Sequence, residues 1–186
     1  MAVNIPNILS LSRILLTPLF VICLQRGMFS VALLVFAVAG ISDALDGLFA
    51  RCFNQKTVLG AYLDPIADKI LLMSAFVSLA VLKIIPGWLA VIVISRDIVI
   101  VAGFAVSEIT NINIEVRPSF VSKCTTLIQL FTVFFTLLNS ESLIYMKAEL
   151  IEKILYWLTA CLTIISGLHY IYIGMNLLQN ANHSSK

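Results

Sequence analysis

Four aspartates stand out in this sequence because the chain around them carries very few charges. Only 12% of the residues are charged and 60% are hydrophobic. The stretch 42–68 nevertheless contains four acids: Asp43, Asp46, Asp64 and Asp68. The sequences on either side, VALLVFAVAGI and KILLMSAFVSLAVL, have the composition of lipid-embedded helices. An ionised carboxylate in hydrocarbon is costly, so acids at such positions are expected to have a partner and a function.

The spacing of these acids predicts a metal site built on two helix ends. Asp43 and Asp46 would share one face of a helix at i, i+3, and Asp64 and Asp68 would do so at i, i+4. Pro65 directly after Asp64 is typical of a helix start, with Asp64 near the cap. Carboxylates at close quarters repel unless they are protonated or neutralised by cations. Oxygen ligands without histidine or cysteine indicate a hard metal such as Mg²⁺, Mn²⁺ or Ca²⁺.

Small residues and an arginine beside the acids indicate a substrate that contains phosphate. Gly47 and Ala50 lie on or next to the face of the first acid pair and let a ligand come close. Arg51 follows one turn beyond, and its planar guanidinium matches phosphoryl oxygens. Because carboxylates that bind Mg²⁺ commonly share it with substrate phosphates, the residues favour an enzyme acting on a phosphate ester or diphosphate at a membrane surface. The alternative, acids that cap helices or pair with Arg51, Lys56 and Lys69, explains single acids better than all four.

The composition predicts an all-α integral membrane protein with one domain, 1–186. Soluble domains have about 45–50% apolar and about 25% charged residues, unlike this chain. With roughly 20 apolar residues needed for each span, 186 residues provide for six transmembrane helices. The first span is expected to be retained and not to be a signal peptide, because Arg13 interrupts it. The apolar runs that fit the spans are 7–25, 30–50, 62–83, 87–107, 119–138 and 150–178.

The basic residues predict the orientation of these spans. Six spans place both termini on one side, where seven lysines and arginines fall against four on the other side. The positive-inside rule then predicts cytoplasmic termini in the cytoplasmic (inner) membrane, with the four aspartates at the cytoplasmic face. The net charge of +2 suits anionic lipid and gives no argument for nucleic acid binding. The four cysteines form no C-x-x-C pair, so no disulfide framework or zinc site is expected.

The stretch 43–68 resembles the CDP-alcohol phosphatidyltransferase motif at every one of its eight fixed positions. Those positions are Asp43, Asp46, Gly47, Ala50, Arg51, Gly60, Asp64 and Asp68. The resemblance extends to the chain length and the six-span layout. The segments NIPNILSLSRILLTPLF, ISRD and RPSFVSKCTTLIQ are similar to the branch of this family that makes glycerol-based anionic phospholipids.

The resemblance implies the donor, the cofactor and the residues that hold them. The donor would be CDP-diacylglycerol, and CMP would leave. Mg²⁺ (or Mn²⁺) would bind as a pair of ions to the four aspartates, and Asp68 would also serve as the catalytic base. The CDP moiety would be bound by a set of small, polar and basic residues: Gly47, Ala50, Arg51 and Gly60, with Asn7 and Arg13 approaching the same diphosphate.

The acceptor alcohol is expected to be glycerol 3-phosphate, giving phosphatidylglycerophosphate, with phosphatidylglycerol, giving cardiolipin, as the alternative. The candidate acceptor-binding residues are Arg96, Arg117 and Lys123. Arg96 and Asp97 could instead form a buried ion pair that packs helices. Phosphatidylglycerophosphate synthases usually carry a second arginine where this chain has Phe104. ISRD and PSFVSK are similar to cardiolipin synthases of the family, whereas the chain size favours the phosphatidylglycerophosphate reaction.

Two functions of other classes fit the sequence less well. An ion-coupled transporter predicts acids near the bilayer midplane and two related halves, but these acids cluster at one face and no repeat is visible. A silent lipid-binding scaffold would tolerate loss of Asp68, and nothing in the sequence supports it. Besides the substrates, the expected partners are membrane lipids and a second copy of the chain, since small-residue helix faces favour a homodimer.

Overall fold

In the part that the structure describes, the chain consists of helices joined by turns. The structure is a computed structural model that describes the backbone of residues 5–53, 58–109, 120–140 and 149–184, and the environment of side chains in 11–42, 69–103, 120–140 and 149–175. These residues form six helices and no strand, which confirms the all-α class. The helices are α1 (Ile5–Gln25), α2 (Phe29–Phe53), α3 (Val58–Val81), α4 (Gly87–Ile109), α5 (Phe120–Ser140) and α6 (Glu149–Ser184).

The helix lengths suit a bilayer. A helix of 21 residues, such as α1, is about 32 Å long, close to the hydrocarbon thickness of roughly 30 Å. Among the described residues, two stretches are long and apolar enough to cross a membrane: Phe120–Ser140 and Glu149–Met175. The prediction that all six helices span the membrane therefore stays a prediction.

The helices group into two compact units. The first contains Met1–Gly87 and Val133–Ala148, and the second contains Trp88–Thr132 and Glu149–Lys186. In the first unit, α1 packs against both α2 and α3. The organisation of 1–186 as a single domain stays a prediction.

The core of the first unit is apolar and includes an aromatic pair. The ring centroids of Phe20 on α1 and Phe36 on α2 lie 5.6 Å apart. Leu71, Phe76 and Leu79 on α3 are buried in the same unit. Because α1 contacts both α2 and α3, it holds the two helices that carry the acid motif.

The C-terminal ends of α1 and α3 have the same turn. Gly27 and Lys83 follow these helices with φ values of 70° and 59°. In each turn, two backbone N–H groups donate to carbonyls of the last helical turn, at 2.9 and 3.0 Å. This pairing is the Schellman motif, in which a left-handed residue ends the helix. Glycine adopts that conformation without steric cost, whereas Lys83 carries a Cβ there.

The second unit exposes apolar side chains and buries polar ones. On α5 and α6, Leu127, Ile165 and Leu168 are more than half exposed, while Gln129 and Thr163 are buried. This distribution is the reverse of that in a soluble protein. Lipid can cover exposed leucine and isoleucine, but it offers no hydrogen-bond partner to a hydroxyl or an amide, so polar groups face other helices.

Candidate active site

The four aspartates lie on the two helices that the sequence predicts. The second half of α2 carries Asp43 and Asp46, and the first half of α3 carries Asp64 and Asp68. The side chains of 43–68, including those at Gly47, Ala50, Arg51 and Gly60, lie outside the described residues. Their predicted roles in binding metal and CDP stay predictions.

One expectation about this segment is wrong. Asp64 was expected near the cap of a helix that starts at Pro65, but α3 begins at Val58. The residues VLGAYL that precede Asp64 form the first turns of the helix, so Asp64 and Pro65 lie inside it. A proline at an internal position removes one backbone hydrogen bond and crowds the preceding turn, but α3 continues through Pro65.

The chemistry of the donor set fits a divalent cation. Four carboxylates on two helices that both pack against α1 offer the hard oxygen ligands that Mg²⁺ prefers. Among the side chains that the structure does describe, no cluster of histidine, cysteine, aspartate or glutamate could hold a metal. The metal site at 43–68 stays a prediction.

The two candidate diphosphate-binding residues of α1 differ in what the structure describes of them. The side chain of Asn7 is outside the described part. Arg13 is only 1% exposed, and its carbonyl accepts a hydrogen bond from the hydroxyl of Thr17 at 2.9 Å. Its burial places a positive charge inside the unit that also carries α2 and α3. This location is compatible with the predicted contact to the diphosphate, which stays a prediction.

A polar cluster surrounds Arg96 in the second unit. Nη1 of Arg96 donates to Oδ1 of the neighbouring Asp97 at 2.7 Å, and both side chains are nearly buried. Nη2 donates to Oγ of Ser122 on α5. Ser166 on α6 accepts from Nε at 3.3 Å and from Nη2 at 3.2 Å. One guanidinium on α4 thus links three helices, and we call these four residues the Arg96 cluster.

The backbone of α6 passes close to the stem of Arg96. A Cβ added at Gly167 would lie 3.7 Å from Cγ of Arg96 and 3.8 Å from its Cβ. Such a Cβ would be in ordinary contact with Arg96, so the backbone of α6 runs close beside the aliphatic part of Arg96, and the guanidinium bonds to Ser166 on the same helix. The position of the guanidinium is fixed by its hydrogen bonds to two neighbouring helices.

The structure describes the side chains of two of the three candidate acceptor-binding residues. Arg96 lies in the cluster, Arg117 lies outside the described residues, and the side chain of Lys123 is exposed. The alternative interpretation of Arg96 and Asp97, a buried ion pair that packs helices, has the geometry that it requires. An ion pair of this kind can also bind a ligand, so it does not exclude contact with an acceptor.

Buried polar side chains continue from the Arg96 cluster along α5 and α6. The hydroxyl of Thr125 donates to the carbonyl of Val121 on its own helix at 2.8 Å and also lies 3.2 Å from the carbonyl of Leu162 on α6. Nε2 of Gln129 donates to Oγ1 of Thr163 at 3.1 Å. We call this set the polar seam, and it comprises Ser122, Thr125, Gln129 and Thr132 on α5 with Thr159, Thr163 and Ser166 on α6.

Ser122 and Ser166 are not among the site residues predicted from the sequence. A signal was present, because the polar residues of α5 and of α6 recur every three or four positions. Residues at that spacing lie on one face of a helix. Inside two strongly apolar runs, such a face predicts a polar contact between helices.

Comparison with known proteins identifies the family. The family model for CDP-alcohol phosphatidyltransferase matches residues 3–165. A CMP-forming cardiolipin synthase of Rattus norvegicus is 34% identical over 95% of this chain. A probable phosphatidylglycerophosphate synthase of Mycobacterium tuberculosis (strain ATCC 25618 / H37Rv) is 32% identical over 90% of this chain and 80% of its own length.

The relatives differ in how much of their own length this chain covers. A CDP-diacylglycerol–glycerol-3-phosphate 3-phosphatidyltransferase of Rickettsia bellii (strain RML369-C) is 30% identical over 90% of this chain and 93% of its own length. The chain spans 63% of the length of the rat cardiolipin synthase. The family model nevertheless covers most of the chain, motif included, so the resemblance seen in the sequence is confirmed: the chain belongs to the CDP-alcohol phosphatidyltransferase family.

Proposed function

We propose that the chain transfers a phosphatidyl group from CDP-diacylglycerol to a glycerol-type alcohol and releases CMP. The observation that carries this proposal is the complete motif, whose eight positions lie on α2 and α3 in a chain of the matching family. The relatives described above have names that state reactions of this type. The family model and the motif do not by themselves specify the acceptor.

The motif residues divide the chemistry between them. Asp43, Asp46, Asp64 and Asp68 would hold a pair of Mg²⁺ ions, which supply positive charge for the diphosphate and for the leaving CMP. Arg51 would bind a phosphoryl oxygen of the donor and fix its orientation. The acceptor hydroxyl would form a new bond to the lipid-bearing phosphorus as the bond from phosphorus to CMP breaks. Asp68 would take the proton that the hydroxyl loses.

The location of the reaction follows from its substrates. With six membrane-spanning helices, the acyl chains of the donor would stay in the bilayer while the cytidine enters from the cytoplasm. We place the site at the cytoplasmic face of the cytoplasmic (inner) membrane, as the distribution of basic residues favours. The exposed apolar faces of α5 and α6 suit contact with lipid and with a second copy of the chain in a homodimer.

The Arg96 cluster bears on which acceptor alcohol the chain uses. From the sequence alone, glycerol 3-phosphate is the first candidate, and its phosphate monoester requires cationic groups in the acceptor site. Arg96 is instead paired with Asp97 at 2.7 Å, and Phe104 replaces the second arginine. These observations favour phosphatidylglycerol, and we place it ahead of glycerol 3-phosphate.

A reconstitution experiment tests both parts of the proposal. The purified protein is given CDP-diacylglycerol, Mg²⁺ and each acceptor in turn, and CMP release and the lipid product are measured. We expect CMP and cardiolipin with phosphatidylglycerol, at a higher kcat/KM than with glycerol 3-phosphate. Absence of CMP release with either alcohol would contradict the enzyme function. A higher kcat/KM with glycerol 3-phosphate would restore the order expected from the sequence.

A further inference from the structure

We infer that Ser122 and Ser166 determine which acceptor Arg96 can bind, an inference that rests on the proposed function. The two serines lie on different helices, α5 and α6, and both accept hydrogen bonds from the guanidinium of Arg96 on α4. They are not part of the family motif at 43–68. Their effect would be on specificity, because they decide how many donors of Arg96 remain for a substrate.

Most donors of the guanidinium are occupied by the protein. Arginine has five N–H groups in a fixed fork. The N–H of Nε and one N–H of Nη2 bond to Ser166, and the other N–H of Nη2 bonds to Ser122. One N–H of Nη1 bonds to Asp97. Within the described residues, a single N–H of Nη1 is left for an external oxygen.

A single donor suits one class of acceptor better than the other. An arginine binds a phosphate monoester best through two parallel N–H···O bonds, which require two N–H groups on one edge of the fork. Ser166 occupies the edge formed by Nε and Nη2, and Ser122 takes the Nη2 N–H of the edge formed by Nη1 and Nη2. The remaining N–H can meet one oxygen, such as a hydroxyl or a phosphodiester oxygen of a glycerol headgroup.

The charge of the Arg96 cluster also favours an acceptor without a phosphate monoester. Asp97 lies against Nη1 and balances the positive charge of Arg96 in a buried setting. A doubly charged phosphate monoester would gain little attraction from such a neutral pair and would lose its hydration on binding. A hydroxyl or a phosphodiester loses less hydration free energy when it leaves water, because it carries less charge. The Arg96 cluster is therefore suited to a glycerol headgroup that carries no free phosphate monoester.

A purely structural role for the serines makes a different prediction. The polar seam contains another pair on the same two helices, Thr132 and Thr159, whose hydroxyl oxygens lie 2.7 Å apart. That pair also joins α5 to α6, but it makes no contact with Arg96 among the described residues. If the serines only hold the helices together, removing either pair should affect both acceptors equally.

The test is the ratio of kcat/KM for glycerol 3-phosphate to kcat/KM for phosphatidylglycerol, measured in the full chain by CMP release. In Ser122→Ala, which frees one N–H, we expect this ratio to rise about tenfold, the effect of one added charge-assisted hydrogen bond. Ser166→Ala frees two N–H groups and should raise the ratio at least as much. Ser122→Thr keeps the hydroxyl and should keep the ratio of the wild type. Thr159→Val, the matched control, removes a buried hydroxyl elsewhere in the seam and should leave the ratio unchanged.

The outcomes separate this inference from the proposed function. Alanine variants that lower activity with both acceptors in parallel, or that change neither, would overturn the role in specificity while the enzyme function stands. A wild type that releases no CMP with either acceptor overturns the proposed function and this inference with it. If Ser166→Ala does not fold, as judged by its melting in detergent, Ser122→Ala on the other helix decides the question.

Discussion

Gln129 on α5 donates a hydrogen bond to Thr163 on α6, with 3.1 Å between Nε2 and Oγ1. Both side chains are buried, with exposed fractions of 1% and 0%. An amide and a hydroxyl in this position have no access to water, and lipid offers them no partner. The pair therefore contributes to the association of the two helices, as do the neighbouring contacts of the polar seam.

Replacing Gln129 by leucine tests this contribution. Gln129→Leu keeps the size of the side chain but leaves the hydroxyl of Thr163 without its donor. We expect a loss of about 1 kcal/mol in the free energy of unfolding, the upper part of the range for hydrogen bonds between membrane helices. The measurement is unfolding of the purified protein in mixed micelles, followed by circular dichroism.

A double-mutant cycle with Thr163→Val provides the control. When both partners are apolar, no buried group lacks a hydrogen bond, so the double variant should lose less than the sum of the single losses. Strict additivity of the two losses would show that the bond does not couple the helices.

Removing the carboxylate of the Arg96 cluster should cost more. In Asp97→Asn the guanidinium of Arg96 keeps its serine contacts but loses the charge that balances it in a buried site. Breaking one partner of a buried ion pair typically costs about 3–5 kcal/mol, and the amide oxygen that remains places this variant near the lower figure. The same unfolding assay in micelles measures the loss.

The double variant Arg96→Met/Asp97→Leu distinguishes charge from packing. Because it removes both charges, it should be more stable than Asp97→Asn alone. An Asp97→Asn protein as stable as the wild type would mean that the buried pair does not depend on its charge balance.

The helices could be predicted from sequence because each one produces a local pattern. The apolar run 87–107 corresponds to α4 (Gly87–Ile109), and the run 119–138 corresponds to α5 (Phe120–Ser140). The preference of proline for the first turn of a helix predicts the wrong start for α3. The residues VLGAYL before Asp64 are also helical. The positional preference of one proline is a weak predictor of where a helix begins, and the structure around it can override that preference.

The Arg96 cluster could be predicted only in part. The sequence shows that Arg96 and Asp97 are adjacent charges within an apolar run, and an ion pair was one of the two interpretations. The serines that bond to Arg96 lie 26 and 70 residues away in the chain. Contacts at that separation depend on how α4, α5 and α6 pack, and no local pattern specifies their register.

The turns after α1 and α3 allow a prediction about stability. Lys83 has φ 59°, a conformation that costs roughly 1–2 kcal/mol for a residue with a Cβ. Lys83→Gly removes this strain but adds freedom to the unfolded chain, so we expect a net gain of about 0.5–1 kcal/mol. Lys83→Ala, which keeps the Cβ, should give no such gain, and the melting temperature in detergent compares the three proteins.

The equivalent change at Gly27 should have the opposite sign. A Cβ at this position would meet no atom within 4 Å, so the cost of Gly27→Ala is conformational and not steric. With φ at 70°, we expect a loss of about 1 kcal/mol. If Gly27→Ala melts at the temperature of the wild type, the left-handed turn after α1 is not a source of stability.

The proposed catalytic base leads to a prediction that separates proton transfer from metal binding. Asp68→Asn keeps an oxygen that can contact a cation but cannot accept the proton of the acceptor hydroxyl. We expect turnover to fall by about 10²–10⁴-fold, measured as CMP release with saturating substrates, while binding of CDP-diacylglycerol is largely kept. Treatment with EDTA should abolish turnover in the wild type, and added Mg²⁺ or Mn²⁺ should restore it.

Asp46→Asn is the control for the loss of turnover in Asp68→Asn. As a predicted metal ligand without the role of base, it should raise the Mg²⁺ concentration needed for half-maximal turnover, and excess Mg²⁺ should recover part of its activity. Asp68→Asn should not recover in this way, since no concentration of metal replaces a proton acceptor. Recovery of Asp68→Asn by Mg²⁺ would make Asp68 a metal ligand only and would move the role of general base to another group.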